Sequence, residues 1–165
     1  MDCNNFSTFN TNNKNATTMR QVFILLFFGF SVGISAQEET AIKQTISTFF
    51  EGLQTGDTLK IQSVCHKEMK LQSIMEKNTV GALSFQSNSD FYKSIAAIPK
   101  NLKIEERLLS YNIQIDGGTM ANVWTPYEFY VNEKQSHIGT NSFTLLLENN
   151  SWKIVHIIDT RRKKI

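Results

Sequence analysis

Cysteine is nearly absent, and what is present cannot bridge within the fold. Of two cysteines in 165 residues, Cys3 lies ahead of an apolar N-terminal run, which leaves Cys65 alone. A disulfide-stapled scaffold is excluded, and Cys65 reads as a buried, inert thiol. Charge of one sign is lacking as well. Lys+Arg number 17 against 15 Asp+Glu, so no basic surface argues for a nucleic-acid partner. The single basic cluster, Arg161–Lys164, reads as a solvated tail. The three histidines, His66, His137 and His156, are scattered without metal-ligand spacing, so no metal is expected. No Gly-rich phosphate loop and no Gly-x-Ser-x-Gly elbow occur, and no cofactor is expected. The apolar run Val22–Ile34 falls short of the ~20 residues a transmembrane helix needs.

That run does fit another role. Met19-Arg20 precedes it and Ser35-Ala36-Gln37 follows, the order of a secretory signal peptide with cleavage after Ala36. Residues 1–18 are rich in Asn and Thr, without apolar periodicity, and read as a disordered upstream extension. Residues 19–36 are then the signal peptide, and 37–165 form one domain, exported to the periplasm or beyond. Gln37 rather than cysteine follows the cut, so no lipid anchor and no stable membrane attachment are expected.

Within 37–165, Ile42, Ile46, Phe49, Phe50 and Leu53 recur at helical spacing and predict a helix over 38–54. Gly56 stops it, and Asp57 caps a short second helix to about Val64. Alternation predicts strands over 68–77 and 80–86. Ser87–Asp90 caps a third helix that Pro99 ends. Four strands follow, over 103–115, 119–131, 136–147 and 152–161. They turn at Asp116-Gly117-Gly118, Asn132–Gln135 and Asn149-Asn150. Helices followed by a long antiparallel meander imply an α+β domain with the helices on one sheet face.

Counting back from a tight Asn149-Asn150 turn sets Leu147 opposite Trp152. One face then carries Phe143, Leu145, Leu147, Trp152, Ile154 and Ile158, with His137, Asn141, His156 and Thr160 stranded on it. The other face carries Ser142, Thr144, Lys153 and Asp159. The same count across Asn132–Gln135 brings Trp124 and Glu128 inward. A bulge at Pro126 would bring in Tyr127 instead of Glu128. Polar groups gathered beside aromatics on an inner face either pair with one another or line a cleft. The cleft reading makes Trp124, Tyr127, Glu128, His137, Asn141, Phe143, His156 and Thr160 the candidate ligand contacts. His137 with Glu128 is the candidate acid–base pair.

The run VWTPYEFYVNEKQSHIGTNSF, with SWKIVHIIDTRRK after it, resembles the secreted NTF2-like proteins of Bacteroidetes, near the SnoaL-like and lumazine-binding-like groups. The resemblance spans Glu38 to about Lys164 and rests on residues such as Trp124, Pro126, Tyr127, Gly139 and Trp152. Ile138 stands where relatives often carry Cys, which removes any thiol chemistry there. The resemblance implies a cone-shaped roll, a strongly bent, mainly antiparallel sheet wrapped on N-terminal helices around a pocket. Such a scaffold hosts binders, isomerases, dehydratases and dimerisation modules alike. The leading expectation is an exported binder of a small, partly aromatic or amphipathic molecule. The alternatives are a proton-transfer enzyme using His137, or a homodimer joined through the outer sheet face.

Overall fold

The structure, a computed structural model, describes residues 36–78 and 80–163. The expected extension and the apolar run of the expected signal peptide lie outside the described residues. The chain divides into two units, Met1–Glu38 and Glu39–Ile165, and the second carries the fold.

Helix α1 (36–55) presents Ile42, Ile46, Phe49 and Phe50, all buried, as its inner face. Gly56 adopts φ +71° after it, the left-handed conformation that ends a helix without Cβ strain. The chain then turns back at once, and Asp57 caps α2 (Thr58–Val64) by accepting from the Lys60 amide at 2.9 Å. Gly52 permits this tight return, because a Cβ there would sit 2.7 Å from Ile61 Cγ1. Helix α3 (Asn88–Ala96) is capped by Ser87, whose hydroxyl accepts from the Asp90 amide and donates to the Asp90 carboxylate. It buries Phe91 and Ile95.

The strands are β1 (Cys65–Lys77), β2 (Val80–Gln86), β3 (Ile104–Leu108), β4 (Asn112–Asp116), β5 (Met120–Val131), β6 (Lys134–Glu148) and β7 (Ser151–Arg162). They form one sheet in the order β2-β1-β7-β6-β5-β3, with β4 also on β5. All pairs are antiparallel except β1 with β7. The result is the expected α+β architecture, helices followed by a mixed, strongly curled sheet. Two tight turns use consecutive non-glycine residues at positive φ, Asn132-Glu133 and Asn149-Asn150.

Three details depart from the sequence reading. The strand expected over 103–115 is two strands, β3 and β4, both on β5. Leu108 pairs with Tyr127 and Asn112 with Trp124, so three residues span a gap of two opposite Pro126. Proline has no amide hydrogen to continue that ladder. Strand β6 carries an extra residue at Ser136, since Phe129 pairs with His137 but Tyr130 with Gln135. Strand β7 carries one at Val155, since Leu145 pairs with Ile154 but Thr144 with His156. Each bulge inverts which residues face inward beyond it. The inner face therefore holds Val123, Thr125 and Tyr127 of β5 in place of Trp124 and Glu128. On β7 it holds Ile157 and Asp159 in place of His156, Ile158 and Thr160. The expectation that Asp159 faces outward is reversed, because it is 7% exposed. On β6 the expected inner residues Asn141, Phe143, Leu145 and Leu147 stand.

The core closes around Phe143, against which Phe49 and Phe50 pack edge-on with ring centroids 6.2 and 6.0 Å away. Cys65 is buried and free, and burial pushes its thiol up to about 12, which leaves it inert as expected.

Candidate functional site

Beyond Phe143 the concave face turns polar. Asn141, Asp159 and Arg161 follow by strand alternation from β6 and β7, Ser73 from β1 and Glu106 from β3. A cavity of about 400 Å³ lies between them and the apolar wall of Phe49, Phe50, Phe91 and Phe143. This division, aromatic at one end and oriented polar groups at the other, is the usual form of a small-molecule site.

Asp159 is held by three donors. The Ser73 hydroxyl donates to Oδ1. The Arg161 Nε donates to Oδ2 at 2.7 Å, and the Tyr127 hydroxyl lies 3.0 Å from the same oxygen. The Tyr127 hydroxyl is also 3.0 Å from the Thr160 carbonyl oxygen, so its single proton is shared between two acceptors. Gly139 makes this reach possible. It pairs directly with Tyr127, and a Cβ there would fall 1.8 Å from the Thr160 oxygen and 2.7 Å from the Tyr127 ring. The ring crosses β6 where no side chain stands in its way and delivers its hydroxyl to β7. Burial first, then the neighbouring Asp159 charge, raises the Tyr127 phenol, which stays protonated at physiological pH. Burial works against the Arg161 charge, but its hydrogen bond and ion pair with Asp159 raise its pKa.

Glu106 is different. Among the described residues its carboxyl has one donor, Asn141 Nδ2 at 2.6 Å. Burial pushes its carboxyl up to about 7, and the Asp159 charge adds to that, while Asn141 and Arg161 pull the other way. A carboxyl that titrates near neutrality inside a cavity can both give and take a proton. Glu106 was not among the candidates read from the sequence. A signal exists in Ile104-Glu105-Glu106-Arg107-Leu108, where Glu106 alternates with two apolar residues on the inward face of a strand. Asp159 and Arg161 were missed with the Val155 bulge.

The structure separates most of the other candidates from this centre. Asn141 and Phe143 line the cavity, and Tyr127 stands behind it. His137 is half-buried beside the site. It stacks on Phe129 with centroids 4.7 Å apart and meets Tyr127 edge-on at 5.8 Å. Burial, followed by the Arg161 charge, lowers its pKa, so it is mostly neutral at pH 7. Glu128 does not join it: it pairs opposite Ile138 on the outer face and accepts from the Tyr130 hydroxyl at 2.7 Å. The expected His137–Glu128 pair therefore spans the two faces of the sheet. Trp124 is 55% exposed on the outer face. His156 lies there too, its Nε2 2.7 Å from Gln72 Oε1. The Thr160 hydroxyl accepts from the Thr140 amide at 3.1 Å, and only its carbonyl oxygen meets the site. Among the described residues no group of three or more His, Cys, Asp or Glu could hold a metal ion. No helix among them is long and apolar enough to cross a membrane.

No family model matches the chain, and no curated protein does either. Solved structures do. An NTF2-like protein of unknown function from Shewanella baltica OS155 is 16% identical, with a TM-score of 0.58 over 78% of this chain and 97% of that one. A provisionally named scytalone dehydratase from Novosphingobium aromaticivorans is 12% identical, with a TM-score of 0.63 over 79% and 88%. The β subunit of a provisionally named aromatic-ring-hydroxylating dioxygenase from the same organism is 12% identical, with a TM-score of 0.64 over 80% and 93%. These likenesses concern the fold, and the chain has the NTF2-like α+β cone fold.

Proposed function

We propose that the concave cavity binds a small, largely apolar molecule carrying one polar group, and that Glu106 exchanges a proton with it. The observation that carries this is the Glu106 carboxyl at the polar end of an aromatic-walled cavity, held by Asn141 and pushed up to about 7 by burial. The rings of Phe49, Phe91 and Phe143 supply apolar contact, while Asn141 and Arg161 orient the polar group.

The same carboxyl favours a second reading, proton-transfer catalysis. As a carboxylate, Glu106 would take a proton from a carbon beside a carbonyl and return it at another carbon, or to a departing hydroxyl. Arg161 would stabilise the charge developing on the carbonyl oxygen. The base in this reading is Glu106, not His137. Native mass spectrometry of protein from its own host, for a retained small molecule, tests the pocket. With such a molecule in hand, Glu106→Gln separates the readings: a binder loses affinity, whereas an enzyme loses turnover while binding persists. Absence of any ligand, from a host extract as well, would count against both.

Glu106 also predicts a pH dependence. Its folded pKa of about 7 lies above the 4.5 of a free carboxyl, so the folded state binds the proton more tightly. The stability this brings is fully present below about pH 4.5 and is lost as pH rises through 7. Glu106→Gln removes the ionised form, so the variant should exceed the native chain by roughly 2–3 kcal/mol at pH 8 and match it near pH 4.5. Urea unfolding at the two pH values measures this, and equal stability at pH 8 would contradict it.

Export, with cleavage after Ala36, is part of the same proposal and rests on the apolar run Val22–Ile34. Protein from the native host should begin at Gln37, free or cyclised. Soluble cytoplasmic protein that keeps residue 1 or residue 19 by mass would contradict it.

A further inference from the structure

The two edges of the sheet are finished differently. At one edge β3 reads Ile-Glu-Glu-Arg-Leu, charged through its middle. Charges of this kind blunt an edge against pairing with another chain. At the other edge β2 reads Val-Gly-Ala-Leu-Ser-Phe-Gln, with no charge and no proline, and every residue is exposed. Among the described residues strand β2 pairs only with β1, and none of them pairs with the backbone groups of its far side. Large apolar side chains concentrate on this hairpin: Val80, Leu83 and Phe85 are 69%, 52% and 74% exposed, and Met75 on β1 is 53% exposed. An exposed, uncharged apolar edge of this kind marks an interaction site.

We propose that β2 pairs antiparallel with β2 of a second copy of this chain, about a two-fold axis through Leu83, joining two sheets into one. The strand is self-complementary in that register. Leu83 faces the copy's Leu83, Ala82 faces Ser84, Val80 faces Gln86, and Phe85 faces Gly81. The last pair fits an aromatic ring over a glycine with no side chain of its own. Gly81, Leu83 and Phe85 share one side of β2, so the apolar row of each copy continues into that of the other. A slip of one residue would set Leu83 against Ser84 and the apolar row against the polar one. A slip of two would shorten the ladder. No charge is brought together in the paired register, as an isologous contact requires.

The pairing has a consequence for the cavity. Ser84, Phe85 and Gln86 form part of its wall, so a second copy would clamp that wall from outside. The pairing itself does not depend on what the cavity binds.

Analytical ultracentrifugation of the full chain tests it. The native chain is expected to dimerise. Leu83→Lys and Leu83→Glu should each raise the dissociation constant by about tenfold or more, because like charges meet on the axis. An equimolar mixture of the two should dimerise again, since lysine then faces glutamate. A native chain that stays monomeric up to its solubility limit overturns the proposal, as does a mixture that fails to dimerise. A dimer that survives Leu83→Lys but dissociates in Trp124→Lys places the interface on the outer sheet face and overturns it too. Should Leu83→Lys fail to fold, hydrogen exchange in the native chain carries the test. Protection of the β2 amides should grow with protein concentration, and exchange independent of concentration overturns the pairing.

Discussion

Replacing Trp152 with alanine should cost about 3–5 kcal/mol, the range for truncating a buried aromatic. Trp152 opens β7, is 5% exposed, and pairs with Leu147 across the Asn149-Asn150 turn. It belongs to the cluster that includes Ile42 and Ile46 of α1. Its carbonyl oxygen accepts from the Thr45 hydroxyl on the same helix, at 3.5 Å. The indole therefore lies where helix, turn and last strand meet, and neighbours tied to three elements cannot all collapse into the space it leaves. Denaturant unfolding with an unchanged m-value would report the loss. A loss below about 1 kcal/mol would show that the ring is not part of the core.

Gly139→Ala should be comparably damaging for an opposite reason: it adds one carbon where there is no room. The new Cβ would stand 1.8 Å from the Thr160 carbonyl oxygen and 2.7 Å from Tyr127 Cε1. One obstacle is backbone of the adjacent strand, and the other is the ring of a residue 2% exposed. Relief needs β6 to part from β7 and the Tyr127 ring to leave its place, which breaks the hydroxyl's contacts with Asp159 and Thr160. Overpacking together with a lost buried hydrogen bond should cost about 3 kcal/mol or more. A thermal or denaturant shift equivalent to under about 1 kcal/mol would mean that Tyr127 does not cross β6 at this point.

The same region shows where sequence reading succeeded and where it stopped. The periodicity of Ile42, Ile46, Phe49 and Phe50 is strong because a helix packed on one side needs a continuous apolar stripe. The paired asparagines at 149 and 150 mark their turn because few other residues tolerate positive φ twice in succession. Starting from that turn, alternation along β6 leads correctly to Asn141. It fails on β7 because Ile154-Val155-His156-Ile157-Ile158 is apolar on both sides of the strand and carries no phase. A bulge at Val155 leaves no trace in such a run, yet it decides whether Asp159 or Thr160 faces inward. On β5, Tyr127 was open as the inner residue through a bulge at Pro126. The structure brings Tyr127 inward, but the extra residue is Ser136 on the partner strand. Glu106 escaped because a carboxylate beside Glu105 and Arg107 in a charge-rich edge strand reads as solvent-facing until the fold shows which face of that strand turns inward.

The chemistry of the site then depends on Glu106 more than on any histidine. Carbon-13 NMR titration of its carboxyl, assigned by comparison with Glu106→Gln, measures this directly. The Glu106 resonance should titrate with an apparent midpoint near 7. A Glu106 midpoint at about 4–5, where a solvent-exposed glutamate titrates, would contradict the account, since the cavity would then hold a fixed carboxylate at neutral pH and no exchangeable proton.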